Sequence, residues 1–278
     1  MDTVTTFSTV MAQTDPQAVL VDASGVLYND DGMIPGAVVA LNEVQRQGSA
    51  VFVVTNNTSA SVSEIHSFLH QQGLVLPVSH IISSGLGLSL DPVFCDLMHD
   101  RNVFVVGETG SMDYVTRCEH TRVVSDPQQA DVIVLAASSG DDFNLHLDRV
   151  TATVNSRPDL PVICINPDHY VQTRETQFPV IGYFAAKLAQ QTGVKILWMG
   201  KPHASFSPVV ATVLRHHDID PRRTVFLDDN YRNVLQLQSD LGLAGVLVWK
   251  TGLAYSLSPA DLHHSPVNQV RYIIEQLR

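Results

Sequence analysis

The chain has 278 residues, of which 45% are hydrophobic and 16% are charged, and its formal net charge is -11. This length fits one large domain or two modest ones, and the hydrophobic content is enough for a full core, so the composition excludes wholesale disorder. The negative charge argues against nucleic acid or an anionic membrane as a partner.

The three cysteines, at positions 95, 118 and 164, are scattered and form no Cys-x-x-Cys pair. This usage is typical of reduced thiols and supports neither a disulfide framework nor a zinc site. The Thr-rich stretch 1–16 lacks the basic and apolar regions of a signal peptide, and no run of about eighteen apolar residues suggests a membrane span. We therefore expect a soluble, cytoplasmic protein.

The first third of the chain alternates apolar runs with helical patterns. Strands are predicted at 19–22, 50–54 and 81–84, and helices are predicted to open near Pro35 and Ser61 and to stop at Gly48 and Gly73. Asp22 should lie at the carboxyl end of its strand, beside a tight loop at Ser24 and Gly25. The alternation predicts a parallel sheet covered on both faces.

The middle of the chain has a strand and helix rhythm of its own, with predicted strands at 103–106, 132–136 and 162–165 and helices at 111–118, 143–155 and 184–191. This is enough for a second compact α/β module. The last third resumes the first pattern, with strands at 196–199, 224–227 and 245–249 and helices at 206–216, 231–241 and 267–277. We expect a doubly wound parallel-sheet core of residues 1–84 and 191–278, with an α/β module inserted at 85–190.

Four predicted strands end in charged or hydrogen-bonding side chains. These are Asp22, then Thr55 with Asn56, then Lys201, then Asp228 with Asp229. If the strands are neighbours in one parallel sheet, the side chains lie at the same edge. Clustered carboxylates require a cation, and Mg²⁺ prefers oxygen ligands and leaves positions open for a phosphate. Asp22 would then be free to attack phosphorus.

These stretches, in this order, resemble the motifs of the haloacid dehalogenase (HAD) superfamily, and most closely its subfamily IIA of NagD-like phosphatases. The matching stretches are Asp22-Ala23-Ser24-Gly25-Val26, Thr55-Asn56-Asn57, Gly200-Lys201-Pro202, and Leu227-Asp228-Asp229 with Asn233. The resemblance covers the chain from Val19 onward. It implies a Rossmann-like core with an α/β cap domain of the C2 type inserted between the second and third motifs.

The resemblance further implies a Mg²⁺-dependent phosphatase that hydrolyses a small phosphorylated metabolite through an aspartyl phosphate. It places catalytic roles on Asp22, Ser24 and Lys201. Metal ligation is assigned to Asp22, to the backbone carbonyl of Ser24, and to Asp228 and Asp229. The cap of similar proteins often carries dimer contacts, so a homodimer through the cap is a further expectation.

Phosphate and substrate binding are implied for two polar stretches. Thr55, Asn56 and Asn57 match the stretch that holds the phosphoryl oxygens. Asn166 and Asp168 follow the strand at 162–165, where the cap loop of the family faces the substrate. From the residues alone, Asn-Pro-Asp is equally typical of a plain surface turn.

Two residues depart from the family pattern. Ser24 stands where most family phosphatases have a second Asp, a general acid–base whose contribution is typically about 10² to 10⁴ in rate. Three interpretations follow: another acid or a water replaces it, the enzyme is limited to good leaving groups, or the protein binds phosphate with little or no turnover. Asn233 occupies a position where Asp is usual, which predicts a weakened metal site.

Overall fold

The computed structural model describes residues 4–138, 143–172 and 176–277. Within them the strands are β1 (Val4–Thr5), β2 (Ala18–Asp22), β3 (Tyr28–Asn29), β4 (Gly32–Met33), β5 (Ala50–Thr55), β6 (Ile81–Ser83), β7 (Asn102–Val106), β8 (Arg122–Val123), β9 (Val132–Leu135), β10 (Val162–Cys164), β11 (Tyr170–Gln172), β12 (Gln177–Pro179), β13 (Ile196–Trp198), β14 (Thr224–Asp228), β15 (Ala244–Val248) and β16 (Tyr272–Ile274). The α-helices are α1 (Phe7–Thr14), α2 (Ala37–Arg46), α3 (Val62–Gln71), α4 (Gly87–Leu90), α5 (Pro92–Met98), α6 (Thr109–Thr116), α7 (Phe143–Ser156), α8 (Ile181–Thr192), α9 (Ser207–His216) and α10 (Tyr231–Leu241).

The core is a seven-stranded sheet in the order β1-β16-β15-β14-β2-β5-β6, and every pairing in it is parallel. Every residue of β2, β14 and β15 is buried, as expected for strands covered on both faces. The predicted fold class, a doubly wound parallel sheet with a further α/β unit, is confirmed. In this order the carboxyl ends of β14, β2 and β5 are adjacent.

A second parallel sheet has the order β13-β10-β9-β7-β8. Its own apolar core includes Phe143 and Val150 of α7 and Ile181 and Leu188 of α8. We call residues 102–201, which contain this sheet, α6 to α8 and the start of the loop after β13, the inserted module. The β11–β12 pair is a separate two-stranded antiparallel sheet that follows β10 in the chain.

The position of β13 corrects one expectation. The strand at 196–199 was expected in the core sheet, but β13 pairs with β10, with Ile196 opposite Val162 and Trp198 opposite Cys164. An apolar run predicts a strand but not its neighbour, so this pairing could not be derived from the local sequence. The division into core and cap remains a proposal, and this pairing favours ending the insertion after β13 rather than at residue 190.

The predicted C-terminal helix at 267–277 is wrong. A 3-10 turn at Val267–Gln269 leads instead into β16, which pairs in parallel with β15 and β1. Ile273 and Ile274 are adjacent and both buried, which suits a strand between two neighbours better than one face of a helix. The described helices include none that is both long and apolar enough to cross a membrane.

Candidate active site

The tips of three adjacent core strands bring together residues from three motifs. Asp22, Thr55 and Asp228 are the last residues of β2, β5 and β14. In the register of the sheet, Asp22 lies opposite Val54 and Leu227 lies opposite Val21. The predicted convergence of these three side chains at one edge is therefore observed.

Lys201 reaches the same edge from the inserted module. Its Nζ donates to Asp22 Oδ1 at 2.6 Å, to Asp228 Oδ2 at 2.7 Å and to the Val54 carbonyl at 3.1 Å. The side chain is 1% exposed. Burial opposes its charge, but the two carboxylates outweigh burial and raise the pKa of Lys201 above its usual value. Lys201 is therefore a fixed positive charge between two acids.

Gly200 allows this approach. Its φ is +121°, and an added Cβ would lie 2.7 Å from both Asn56 Oδ1 and Pro167 Cδ. A side chain at this position would be strained and would also push apart the two loops that meet there. The Gly-Lys-Pro stretch thus places the ammonium group by letting the backbone of the inserted module pack against the β5 loop.

Three buried carboxylates form an acidic cluster, which consists of Asp22, Asp228 and Asp229, with oxygens that lie within 4.8 Å of one another. Burial, reinforced by Asp228 and opposed by Lys201, raises the pKa of Asp22 to about 7. Burial and the two neighbouring carboxylates also raise the pKa of Asp229 well above its usual value. Lys201 supplies one positive charge against three carboxylates, so the cluster has the charge and the oxygen donors for a divalent cation.

Asn233 completes the surroundings of Asp228. Its Nδ2 lies 3.2 Å from both oxygens of Asp228, and the Asn230 backbone N–H donates to Asp228 Oδ1 at 2.8 Å. The Asn233 Oδ1 atom is buried and has no hydrogen-bond partner among the described residues. A buried acceptor left without a donor is costly, so this oxygen suits a metal ion or metal-bound water, and the residues present fit Mg²⁺.

Asp229 is clamped between two glycine-containing segments. Its Oδ2 accepts from the Leu253 backbone N–H at 2.5 Å. An added Cβ on Gly25, whose φ is +89°, would lie 2.5 Å from that oxygen, and one on Gly252 would overlap it. Thr251 Oγ1 also donates to the Gly25 carbonyl. The C-terminal segment therefore positions the third carboxylate, a contribution that the motifs alone did not indicate.

Thr55 and Asn56, at the end of β5, have different hydrogen-bond partners. Thr55 is buried, and its Oγ1 accepts from the Asn57 backbone N–H at 3.1 Å. Both polar atoms of the Asn56 side-chain amide form hydrogen bonds with the inserted module. Oδ1 accepts from Lys201 N at 2.9 Å, and Nδ2 donates to Lys201 O at 2.8 Å and to Asp168 Oδ1 at 2.9 Å. The Asn56 side chain thus positions the lysine loop, which leaves only its backbone to face a phosphate.

A cavity of about 340 Å³ opens above these groups. Both Asn166 and Asp168 line it, and the Asp168 backbone N–H donates to Asn166 Oδ1 at 3.1 Å, so the stretch is a turn as well as a wall of the cavity. The remaining predicted residues in the lining are Asp22, Ser24, Thr55, Asn56, Asn57, Lys201 and Asp229. Lining residues that sequence reasoning missed include Tyr28, Ser138, Tyr170, Val171, Gln172, Ile181 and Leu253.

Hydrogen bonds hold the β5 loop to the inserted module. Thr58 Oγ1 donates to the Ala136 carbonyl at 2.7 Å, and Ser111 Oγ donates to the Thr58 carbonyl at 2.7 Å. Tyr114 OH donates to the Ala60 carbonyl at 2.8 Å. The inserted module therefore fixes the backbone that follows Thr55, in addition to covering the site.

Comparison with known proteins finds relatives of similar sequence and fold. A protein-family model described as haloacid dehalogenase-like hydrolase matches residues 19–120. Haloacid dehalogenase-like hydrolase domain-containing protein 2 of Mus musculus is 27% identical over 240 residues, which cover 85% of this chain and 85% of that protein. A dihydroxyacetone phosphatase from Corynebacterium glutamicum is 25% identical over 82% of this chain and 79% of its own length.

A solved structure agrees with the fold. The crystal structure of a possible sugar phosphatase of the HAD superfamily from Cytophaga hutchinsonii has a TM-score of 0.81 at 22% identity, and the match covers 99% of this chain and 98% of that chain. In sequence over residues 19–120, and in fold over nearly its whole length, the chain is therefore similar to haloacid dehalogenase-like hydrolases. Several of its curated relatives are named as phosphatases or as a nucleotidase, which supports a phosphoric monoester hydrolase.

Proposed function

We propose that the protein is a Mg²⁺-dependent phosphatase that hydrolyses a small phosphorylated metabolite through an aspartyl phosphate on Asp22. The observation that carries this proposal is the position of the buried Lys201 ammonium, which bridges Asp22 and Asp228 at the floor of an open cavity. Anionic phosphate cannot approach bare carboxylates, but it can approach carboxylates that a lysine and a divalent cation neutralise.

The proposed cation site uses the acidic cluster. Asp22, Asp228 and Asp229 would hold Mg²⁺ with their oxygens, and the Ser24 backbone carbonyl would be a further ligand. When bound, Mg²⁺ would neutralise the charge that develops on the phosphoryl oxygens. The raised pKa of Asp22 supports this site, because a cation restores the charged form of a carboxylate that burial disfavours.

The chain's own groups then suffice for positioning and attack. Lys201 fixes Asp22 Oδ1 and offsets its negative charge. The Thr55 hydroxyl and the N–H groups of Asn56 and Asn57 would hold the phosphoryl oxygens at the tip of β5. Asp22 would attack phosphorus to give the aspartyl phosphate, and water would release inorganic phosphate from it.

The size and lining of the cavity suggest a small substrate. A volume of about 340 Å³ lies at the lower end of small-molecule sites. The related dihydroxyacetone phosphatase is named for a three-carbon phosphate ester. We infer a sugar phosphate or a similarly small phosphorylated metabolite, with the inserted module excluding water and supplying specificity.

A phosphate-binding relative without turnover is the alternative that Ser24 raises. The assembled Asp22, Lys201 and Asp228 favour catalysis, because binding alone does not require a lysine to hold a carboxylate in place for attack.

Cys95, Cys118 and Cys164 are free thiols, which supports the proposed cytoplasmic location. The homodimer through the cap stays a prediction.

Hydrolysis of 4-nitrophenyl phosphate tests the proposal. Phosphate release that requires added Mg²⁺ and is lost in Asp22→Asn is the expected result. Binding of inorganic phosphate without any turnover, in the presence of Mg²⁺, would instead identify the non-catalytic alternative. Turnover that survives Asp22→Asn would remove the proposed nucleophile.

A further inference from the structure

The missing carboxylate at position 24 leaves the leaving group without a proton donor in the first motif. Ser24 is exposed in the cavity wall beside Asp22. An alkoxide is a poor leaving group, and a serine hydroxyl does not titrate near neutral pH, so an alkyl phosphate requires an acid from elsewhere. A replacement acid must line the same cavity and be held rigidly within it.

Asp168 meets both requirements. It lines the cavity together with Asp22 and Ser24, and it is half-buried. Its backbone is held on both sides, because its N–H donates to Asn166 Oδ1 at 3.1 Å and its carbonyl accepts from Gly182 N at 3.1 Å. The turn is thereby fixed to the start of α8.

Hydrogen bonds through Asn56 and Lys201 link Asp168 to the nucleophile, Asp22. Asn56 Nδ2 donates to Asp168 Oδ1 at 2.9 Å and to the Lys201 carbonyl at 2.8 Å. Lys201 Nζ in turn holds Asp22 Oδ1 at 2.6 Å. The position of Asp168 relative to Asp22 is therefore set by a chain of hydrogen bonds that is buried at Lys201 and part-buried at Asp168.

The surroundings of Asp168 favour its protonated form. Burial is the main cause that raises its pKa, and the hydrogen bond from Asn56 opposes it. Of the charged groups nearby, Lys201 and His169 lower the pKa and Asp228 raises it. Asp168 and Asp22 repel each other as anions, which also favours a proton on one of them.

We propose that Asp168 is the general acid–base of this enzyme and replaces the carboxylate that Ser24 lacks. The inference rests on the proposed phosphatase function and adds the residue that completes it. The acid comes from the inserted module and not from the β2 loop.

The two half-reactions balance with this assignment. In the first, an Asp22 oxygen forms a bond to phosphorus, the bond from phosphorus to the leaving oxygen breaks, and the Asp168 proton moves to that oxygen. In the second, the Asp168 carboxylate takes a proton from water while the water oxygen bonds to phosphorus and the bond to Asp22 breaks. Inorganic phosphate leaves, and both aspartates return to their starting states.

Leaving-group dependence tests the assignment. Asp168→Asn keeps an acceptor for Asn56 but has no proton to give. With Mg²⁺ present, its kcat on glycerol 3-phosphate should fall by about 10² to 10⁴, and its kcat on 4-nitrophenyl phosphate by far less, because nitrophenolate leaves without a proton. Adding Ser24→Asp to that variant should restore much of the loss on glycerol 3-phosphate. Asp148→Asn, which makes the same change at an exposed aspartate of α7, is the matched control and should leave the ratio of the two rates unchanged.

Three outcomes would overturn the assignment. Equal losses on both esters would show that Asp168 acts only by positioning Asn56. No loss on either ester would show that Asp168 neither donates a proton nor positions Asn56. No hydrolysis of either ester by the unmodified protein would overturn the phosphatase proposal itself, and the acid assignment with it. Thermal unfolding of each variant distinguishes these results from misfolding.

Discussion

Lys201 Nζ lies 2.6 Å from Asp22 Oδ1, although Asp22 ends a strand of the core sheet and Lys201 follows a strand of the second sheet. The same nitrogen lies 2.7 Å from Asp228 Oδ2. The active site is therefore closed by an ion pair that spans the two sheets. Both its chemistry and its stability depend on how the inserted module packs against the core.

Replacing Lys201 with Met should be costly in two ways. It leaves two buried carboxylates without their cation, so without divalent metal the free energy of unfolding should fall by about 3 to 5 kcal/mol. Activity on 4-nitrophenyl phosphate should fall by at least about 10²-fold, because the charge at the nucleophile is no longer offset. Urea unfolding and steady-state rates measure the two effects.

Lys195→Met is the control for that substitution, since Lys195 is exposed on the inserted module. It should change both quantities little. Equal effects in the two variants would show that the bridging position of Lys201 has no special role.

Gly25→Ala should disturb the third carboxylate. Gly25 has φ +89°, and the new Cβ would lie 2.5 Å from Asp229 Oδ2. Gly48 provides a matched control, because its φ is +98° and no atom lies within 4 Å of an added Cβ. Both variants should lose about 1 to 3 kcal/mol from backbone strain.

Only Gly25→Ala should also weaken Mg²⁺ binding, which the Mg²⁺ dependence of the unfolding temperature measures. If both variants keep the Mg²⁺ response of the unmodified protein, Asp229 does not contribute to the metal site.

Asn233→Asp should lower the stability of the metal-free protein and raise its affinity for Mg²⁺. The change removes the Nδ2 contacts to Asp228 and places a fourth carboxylate beside it. In EDTA we expect a loss of about 1 to 3 kcal/mol, since hydrogen bonds to a charged group are lost. With Mg²⁺, the stabilisation should be larger than in the unmodified protein, as calorimetric titration and thermal unfolding would show.

Asn155→Asp, on the exposed face of α7, controls for the added charge and should show neither effect. A Mg²⁺ affinity that falls in Asn233→Asp would contradict this view of the site.

Stability without metal should decrease as pH rises. The pKa of Asp22 is raised to about 7 in the folded state from an ordinary value of 3.8, so the folded protein binds more protons than the unfolded chain between these values. This contribution is fully present below pH 3.8, declines by up to about 1.4 kcal/mol per pH unit as pH rises toward 7, and is lost above 7.

Unfolding in EDTA between pH 5 and 8, compared between the unmodified protein and Asp22→Asn, tests the dependence. The comparison cancels the opposite contributions of His80 and His203, whose pKa values burial lowers. Asp22→Asn and added Mg²⁺ should each flatten the curve. A curve that is equally steep with and without Asp22 would contradict the pKa assignment.

Local sequence patterns predicted the elements that carry their own boundary signals. Helix α10 begins after Asn230, whose side chain caps it, and ends at Gly242, whose φ is +71°. Its predicted bounds are those observed. The 267–277 segment has apolar residues at helical spacing but lacks such signals, and pairing with β15 and β1 decided its structure.

The tips of β2, β5 and β14 were predictable because parallel strands end at one edge of a sheet. The sheet to which the strand before Lys201 belongs could not be predicted, because the partner of a strand depends on tertiary structure. The same holds for the side chain of Asn56, which bridges Lys201 and Asp168. The contact of Asp229 with Leu253 joins residues 24 positions apart and left no local pattern.

The central claim is that Asp22 forms the covalent intermediate. Acid quenching of the protein during turnover of 4-nitrophenyl phosphate with Mg²⁺, followed by peptide mass spectrometry, tests it most directly. We predict one additional phosphoryl group on the peptide that contains Asp22, with none in Asp22→Asn. A phosphoryl group on another residue, or continued turnover by Asp22→Asn, would contradict the claim.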